Sequence, residues 1–344
     1  MAAAFRLMVV TPPGLIDPSL AIAASRAGAL GVLNLEGAGN GQVALDAVER
    51  LARFARNDFG VRIGSDGDGL LEPLLSPLPD GLRLAVLAFS GRNRLRQQID
   101  LLHGRGVTAI VEATSEEEAL AGLEAGCDAV IAKGHEAGGR VGDEGAFVLL
   151  QRLLGRLKCP VWAQGGIGLH TVAACYAAGA AGAVLDSQVL LARESPLSES
   201  VKARIAAVDS SDTVVLGVSM AEPCRVYAQP GTPVVNELRQ LEEELSHSGR
   251  ADAEKRAEWR RQLRARIGWA SPEENVLLLG QDAAFAGPLA QRFGTVGGIL
   301  EALRQSIEEH CQIARALCPL DEGAPLAQSH GTRYPIVQGP MTRV

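Results

Sequence analysis

Three short stretches carry the residue types that could do chemistry. GHEAGGRVGDE (134–144) sets a histidine, an arginine and several acids among glycines, with Lys133 just before it. QGGIG (164–168) opens directly into LHTVAACYAAG, and LDSQVL (185–190) puts Asp186, Ser187 and Gln188 at the start of a further element. Glycines let a backbone come close to a flat ligand and leave its amides free as donors. Amides exposed at a helix start favour an anion, so QGGIG and LDSQVL read as two halves of a phosphate site. Within the first stretch, His135 is the nearest group able to exchange a proton. Arg140 stays protonated and can only bind or polarise. Lys133 either stabilises a developing anion or pairs with Glu136 or Glu144.

The elements that must position these residues are legible from periodicity. Apolar runs recur at 6–10, 29–34, 59–64, 82–88, 107–113, 128–132, 160–164 and 182–186. Residues apolar in succession suit strands buried on both faces, as in a parallel sheet covered by helices. Segments with helix signals lie between them, among them SEEEALAGLEAG, where Ser115 begins a capping box and glycine closes the helix. Eight such units predict an α/β chain folded as a (β/α)8 TIM barrel, with an open doubly wound sheet as the alternative. In such a barrel the loops after the strands form the active face, and phosphate sites are typically built after strands seven and eight. GHEAGGRVGDE then follows strand six, QGGIG strand seven and LDSQVL strand eight.

Past residue 195 the rhythm breaks. The expected organisation is a (β/α)8 barrel over 5–195, a mostly helical extension or lid over 196–328, and the start of a second, truncated barrel over 329–344. Residues 234–268 read as two solvated helices, and 283–318 as packed helix with a glycine-rich turn at 294–298. The second-barrel reading rests on an echo: RLMVVTPPG (6–14) and RYPIVQGPM (333–341) share arginine, a β-branched pair and proline at the same spacing.

The chain has 344 residues, 47% of them hydrophobic, and a formal charge of −7, which argues against a nucleic-acid surface. Six scattered cysteines form no CxxC or zinc-type spacing, as expected of thiols in a reducing cytosol. No apolar run is long enough to span a bilayer, so a cytoplasmic protein with no membrane partner is expected.

DAVIAKGHEAGGRVGDE, PVWAQGGIGLHTVAACYAAGAAGAVLDSQ and YPIVQGPM resemble the nitronate monooxygenases, once called 2-nitropropane dioxygenases, and the related FMN-dependent enoyl-acyl-carrier-protein reductases. The similarity runs over roughly residues 5–195 and is most specific in EAGG and GGIG. RESPLSE, GQDAAFA and SHGTRYPIVQGPMTRV are closer to barrel domains embedded in bacterial polyketide synthases. The resemblance implies FMN, with its phosphate on Gly165, Gly166 and Gly168 and on Asp186, Ser187 and Gln188, and with Gly138, Gly139 and Gln164 beside it. Three departures accompany it. Asp186-Ser187 replaces a usual glycine-threonine, Arg140 stands where relatives carry a histidine after EAGG, and TPPG (11–14) replaces QGPM after strand one.

The reading that follows is an FMN-dependent oxidoreductase domain of a polyketide or fatty-acid synthase. It would act on an acyl thioester presented by an acyl carrier protein, with other domains of the same chain as partners. His135 or Arg140 would position the carbonyl, and hydride chemistry would belong to the cofactor. Nitronate oxidation is the alternative activity, and a non-catalytic barrel kept as a scaffold for a second barrel is the alternative of another class.

Overall fold

The computed structural model describes residues 5–337 except 39–40, 66–67, 230–231 and 272, together with residue 339. Eight parallel strands close a barrel: β1 (Arg6–Val10), β2 (Leu30–Asn34), β3 (Phe59–Ile63), β4 (Leu82–Ala88), β5 (Thr108–Ala113), β6 (Ala129–Lys133), β7 (Val161–Gln164) and β8 (Gly182–Leu185). Closure is made by β1, which pairs with β2 at Met8↔Leu30 and with β8 at Arg6↔Gly182. Side chains alternate along each strand. Met8 and Val10, Leu30 and Val32, Ile131 and Trp162 fill the barrel interior. Leu7, Val9, Leu33, Val61 and Ile63 face outward under the helices. Both faces are therefore apolar, which is why the strands appear as unbroken runs in the sequence.

The covering helices are α1 (Ser19–Arg26), α2 (Gly41–Phe54), α3 (Asp68–Leu74), α4 (Arg92–His103), α5 (Glu116–Ala125), α6 (Ala146–Arg156), α7 (Thr171–Ala178) and α8 (Glu199–Ala206). Ser115 caps α5 by accepting from the Glu118 amide at 3.3 Å. Glu118 completes the box one residue early, accepting from the Thr114 amide at 2.8 Å.

The extension is helical, as expected, in α9 (Pro233–His247), α10 (Asp252–Arg266), α11 (Ala286–Phe293), α12 (Val296–Leu317) and α13 (Pro325–His330). It also holds a hairpin absent from the sequence reading, β9 (Thr213–Leu216) and β10 (Cys224–Tyr227). β10 adds the two-residue strand Gly139–Arg140 to form a three-stranded sheet. Neither short run announces itself, because the third partner comes from the loop after β6. A separate apolar cluster, with Leu216, Val226, Leu238 and Trp259, joins hairpin and helix pair. α12 returns to pack against α1 and α7.

At the C-terminal side Ile336 and Val337 are 75% and 64% exposed, and β1 keeps its place in the barrel. Of the QGPM that follows, only Gly339 is among the described residues. Deleting residues 329–344 should shift barrel stability by less than about 0.5 kcal/mol, since exposed segments away from special features contribute little. Thermal melts of full-length and shortened chains check this; a large drop would show that the tail supports the barrel.

Candidate functional site

The inward phase of the strands turns polar at the C-terminal end of the barrel. Counting by twos from the apolar interior residues reaches Asn34, Arg62, Glu112, Lys133, Gln164 and Asp186. These side chains converge at the barrel mouth, and most pair with one another. Arg62 donates Nε and Nη2 to the two oxygens of Glu112, both at 2.9 Å, and Nη1 to Glu36 at 2.5 Å. Lys133 Nζ lies 3.3 Å from Glu112 Oε1. Arg62, Glu112 and Lys133 are 4%, 1% and 3% exposed, so this is a dry ion-pair network rather than a solvated face. Burial alone would raise the Glu112 carboxyl, but Arg62 and Lys133 outweigh it and hold it well below the usual carboxylate range. The network corrects the expectation for Lys133: its partner is Glu112, not Glu136 or Glu144.

The loop after β6 sends its ionisable groups elsewhere. Arg140 reaches the mouth, yet its guanidinium is held by Glu118 at 2.6 and 3.0 Å and by Thr114 Oγ1 at 3.2 Å. Burial would lower the Arg140 pKa; the Glu118 hydrogen bonds and charge reverse that and raise it. His135 is not brought to the mouth: Nδ1 is 2.6 Å from the Gly142 carbonyl within its own loop. Its role as a substrate-positioning group therefore finds no support in the geometry. Glu136 accepts from the Ala146 amide at 3.0 and 3.1 Å, capping α6, and Glu144 pairs with Arg152.

Gly138 serves a close backbone approach. A Cβ there would sit 2.5 Å from the Leu278 carbonyl oxygen and 2.8 Å from the Gly280 amide, because the segment before α11 crosses directly over it. That crossing is pinned by Gln281 N to Glu136 O at 2.8 Å and by Gly280 N to Ser187 Oγ at 3.3 Å. Gly139 belongs to the short strand against β10.

The structure brings the two loops of the expected phosphate site together. Gly166, at φ +64°, points its amide at the space between them, a backbone conformation that favours glycine. Gln188 reaches the same space and also donates to the Ile167 carbonyl at 3.2 Å. One carboxylate oxygen touches both loops: Asp282 Oδ2 accepts from Gly166 N at 3.1 Å and from Gln188 Nε2 at 2.8 Å. Other donors are also taken. Gly168 N donates to Thr171 Oγ1 at 2.7 Å, Ser187 N donates to Asp186, and Asp186 also accepts from Gln164 Nε2 at 2.8 Å. Gly165 lies at φ +106° beneath the Glu136 and Ala137 side chains.

Several of these residues were missed in sequence. Arg62 and Glu112 were recoverable from strand period, as charged residues on an otherwise apolar phase. Glu118 was visible only as a capping residue. Asp282 had no local signal, since the loop it fills lies 116 residues earlier.

A closed parallel barrel of eight strands with helices between them, and with two glycine-bearing loops converging after the last two strands, is a TIM barrel. The nitronate monooxygenase family model matches residues 80–304, and the chain belongs to that family. Members of the family are flavin-dependent oxidoreductases, usually with FMN. A Rhodococcus jostii (3aS,4S,5R,7aS)-5-hydroxy-7a-methyl-1-oxo-octahydro-1H-indene-4-carboxyl-CoA dehydrogenase is 30% identical over 223 residues, 64% of this chain and 61% of that one. A probable nitronate monooxygenase of Staphylococcus saprophyticus is 32% identical over 180 residues, 44% of this chain and 50% of that one. The chain thus spans between half and two thirds of these relatives. FabK from Thermotoga maritima superposes with a TM-score of 0.74 at 25% identity, covering 89% of this chain and 94% of its own.

The residues present do not fit FMN. The space at the mouth is about 30 Å³, bounded by Pro12, Pro13, Arg62, Lys133, Arg140 and Leu278. Sites for molecules of cofactor size run to roughly 300–1,000 Å³, whereas 30 Å³ is on the scale of one or two waters. The cup itself is filled by Asp282, and prolines replace donors after β1.

Proposed function

We propose that this barrel works without the flavin of its family, as a non-catalytic scaffold for a neighbouring barrel and the other domains of a multidomain acyl-thioester synthase. The observation that carries the reading is the closed mouth: Leu278–Gly280 crosses over Gly138, and the Arg62–Glu112–Lys133 network fills the space beneath. The purified full chain should show no flavin absorption bands and no saturable quenching of added FMN fluorescence. Stoichiometric FMN in the isolated protein would end this reading.

A second reading is an FMN-dependent, enoyl-reductase-like oxidoreductase acting on a carrier-bound acyl thioester. It is supported by the convergent Gly166 and Gln188 donors and by the CoA-thioester relative. It requires the 278–282 segment to withdraw. Nitronate oxidation has less support, because Arg140 occupies the position after EAGG and is bound to Glu118.

A further inference from the structure

We propose that the Asp282 carboxyl group is the resident occupant of the cup between Gly166 and Gln188, and that the cup binds a phosphate group only when this side chain is removed. The inference rests on the cofactor-free reading and adds what fills the site and what would replace it. Asp282 is 1% exposed. Its Oδ2 takes the Gly166 amide and the Gln188 carboxamide, the two donors that would otherwise face a phosphate oxygen. Its Oδ1 is buried and has no hydrogen-bond partner among the described residues. The cup thus offers donors to one of the two carboxyl oxygens and leaves the other unsatisfied. The segment bearing it is held from both sides, by Gln281 N on Glu136 O and by Gly280 N on Ser187 Oγ, so the side chain is delivered to the cup rather than swung in from solvent.

The charged groups around Asp282 are Asp186, Glu136 and Arg225. Burial raises the Asp282 carboxyl well above its ordinary range, and Asp186 and Glu136 push it the same way. A carboxyl raised on folding leaves stability complete below its unfolded value and removes stability as pH rises toward the folded value. The filled cup is consequently tightest when Asp282 is protonated. A phosphate anion in its place would draw on the same two fixed donors by charge-assisted hydrogen bonds, against the Asp186 and Glu136 charges and with Arg225 as a countercharge.

The test uses the full chain and inorganic phosphate as the probe, with binding followed by calorimetry and by phosphate-dependent melting. Asp282→Ala and Asp282→Ser should each bind phosphate at least about tenfold more tightly than the wild-type chain, a difference of about 1.4 kcal/mol. Adding Gln188→Ala should abolish the gain. FMN should bind neither variant more tightly than phosphate does, because the mouth above the cup remains closed. Asp282→Asn keeps an oxygen for both donors, so it should gain no phosphate binding and should lose the fall in melting temperature with rising pH. Equal phosphate affinity in wild type and in a folded alanine or serine variant would overturn the proposal. If neither variant folds in plain buffer, refolding each with inorganic phosphate present decides it: recovery of the folded chain sustains the proposal, and no recovery overturns it. Flavin found in the wild-type chain would instead overturn the cofactor-free reading, a separate result.

Discussion

Glu112→Ala is expected to lower the unfolding free energy by about 3–5 kcal/mol, the usual effect of removing one partner from a buried ion pair. Glu112 accepts from Arg62 through two hydrogen bonds and from Lys133 through one, and all three side chains are buried. Without it, Arg62 keeps Glu36 and the Asn34 side-chain oxygen, and Lys133 loses its ion-pair partner. Replacing an entire buried ionic group by apolar residues is often neutral or stabilising, so Glu112→Leu combined with Arg62→Met and Lys133→Met should recover much of the loss. Urea denaturation of the single and triple variants measures both. The pH dependence follows from the direction of the Glu112 shift. Its carboxyl is depressed in the folded chain, so its contribution is complete above the ordinary carboxylate range and disappears as pH falls through the folded value. Wild type should therefore lose more stability on acidification than Glu112→Ala. Equal stability of wild type and Glu112→Ala at neutral pH would show that the network contributes nothing.

Trp259→Ala should cost about 3–5 kcal/mol, but within the extension rather than the barrel. Trp259 is fully buried and is the one buried residue of α10, a helix whose other side chains are mostly charged, with Leu263 partly buried beside it. It packs beside Leu216, Val226 and Leu238, which ties α10 to both the hairpin and α9. Its Nε1 has no hydrogen-bond partner among the described residues, so its contribution is packing, and Trp259→Phe should cost much less. Hydrogen exchange should show α9, α10 and the hairpin losing protection together while β1 to β8 keep theirs. Uniform loss across the barrel would mean that the two cores unfold as one.

The barrel was legible because each strand is apolar on both faces, and the loops after β6, β7 and β8 were legible because glycine clusters mark where backbones crowd. The roles of their side chains were not. With only the loop in view, His135 reads as the proton-exchanging group and Lys133 as an anion stabiliser or a partner of Glu136 or Glu144. Strand period sends Lys133 to Glu112, and loop closure turns His135 onto Gly142. Arg140 departs from its relatives for a reason that lies in α5, where Glu118 receives it. The third strand of the hairpin sheet and the 278–282 crossing escaped because their partners are distant in the chain, so no window of ten or twenty residues contains both sides of either contact.

The same distance gives the cup a history during synthesis. All eight barrel strands have been made once Leu185 is added, but Asp282 comes 94 residues after Gln188, the later of its two donors. At about 5–20 residues per second, ribosomes take roughly 5–19 s to cover that interval. A nascent chain that closes its barrel in that time presents the Gly166 and Gln188 donors to the surrounding pool of metabolites before its own carboxyl arrives. Competition for the cup is then decided by timing on the ribosome as well as by affinity, and slower translation between residues 190 and 282 would lengthen the period in which an outside phosphate can reach it first.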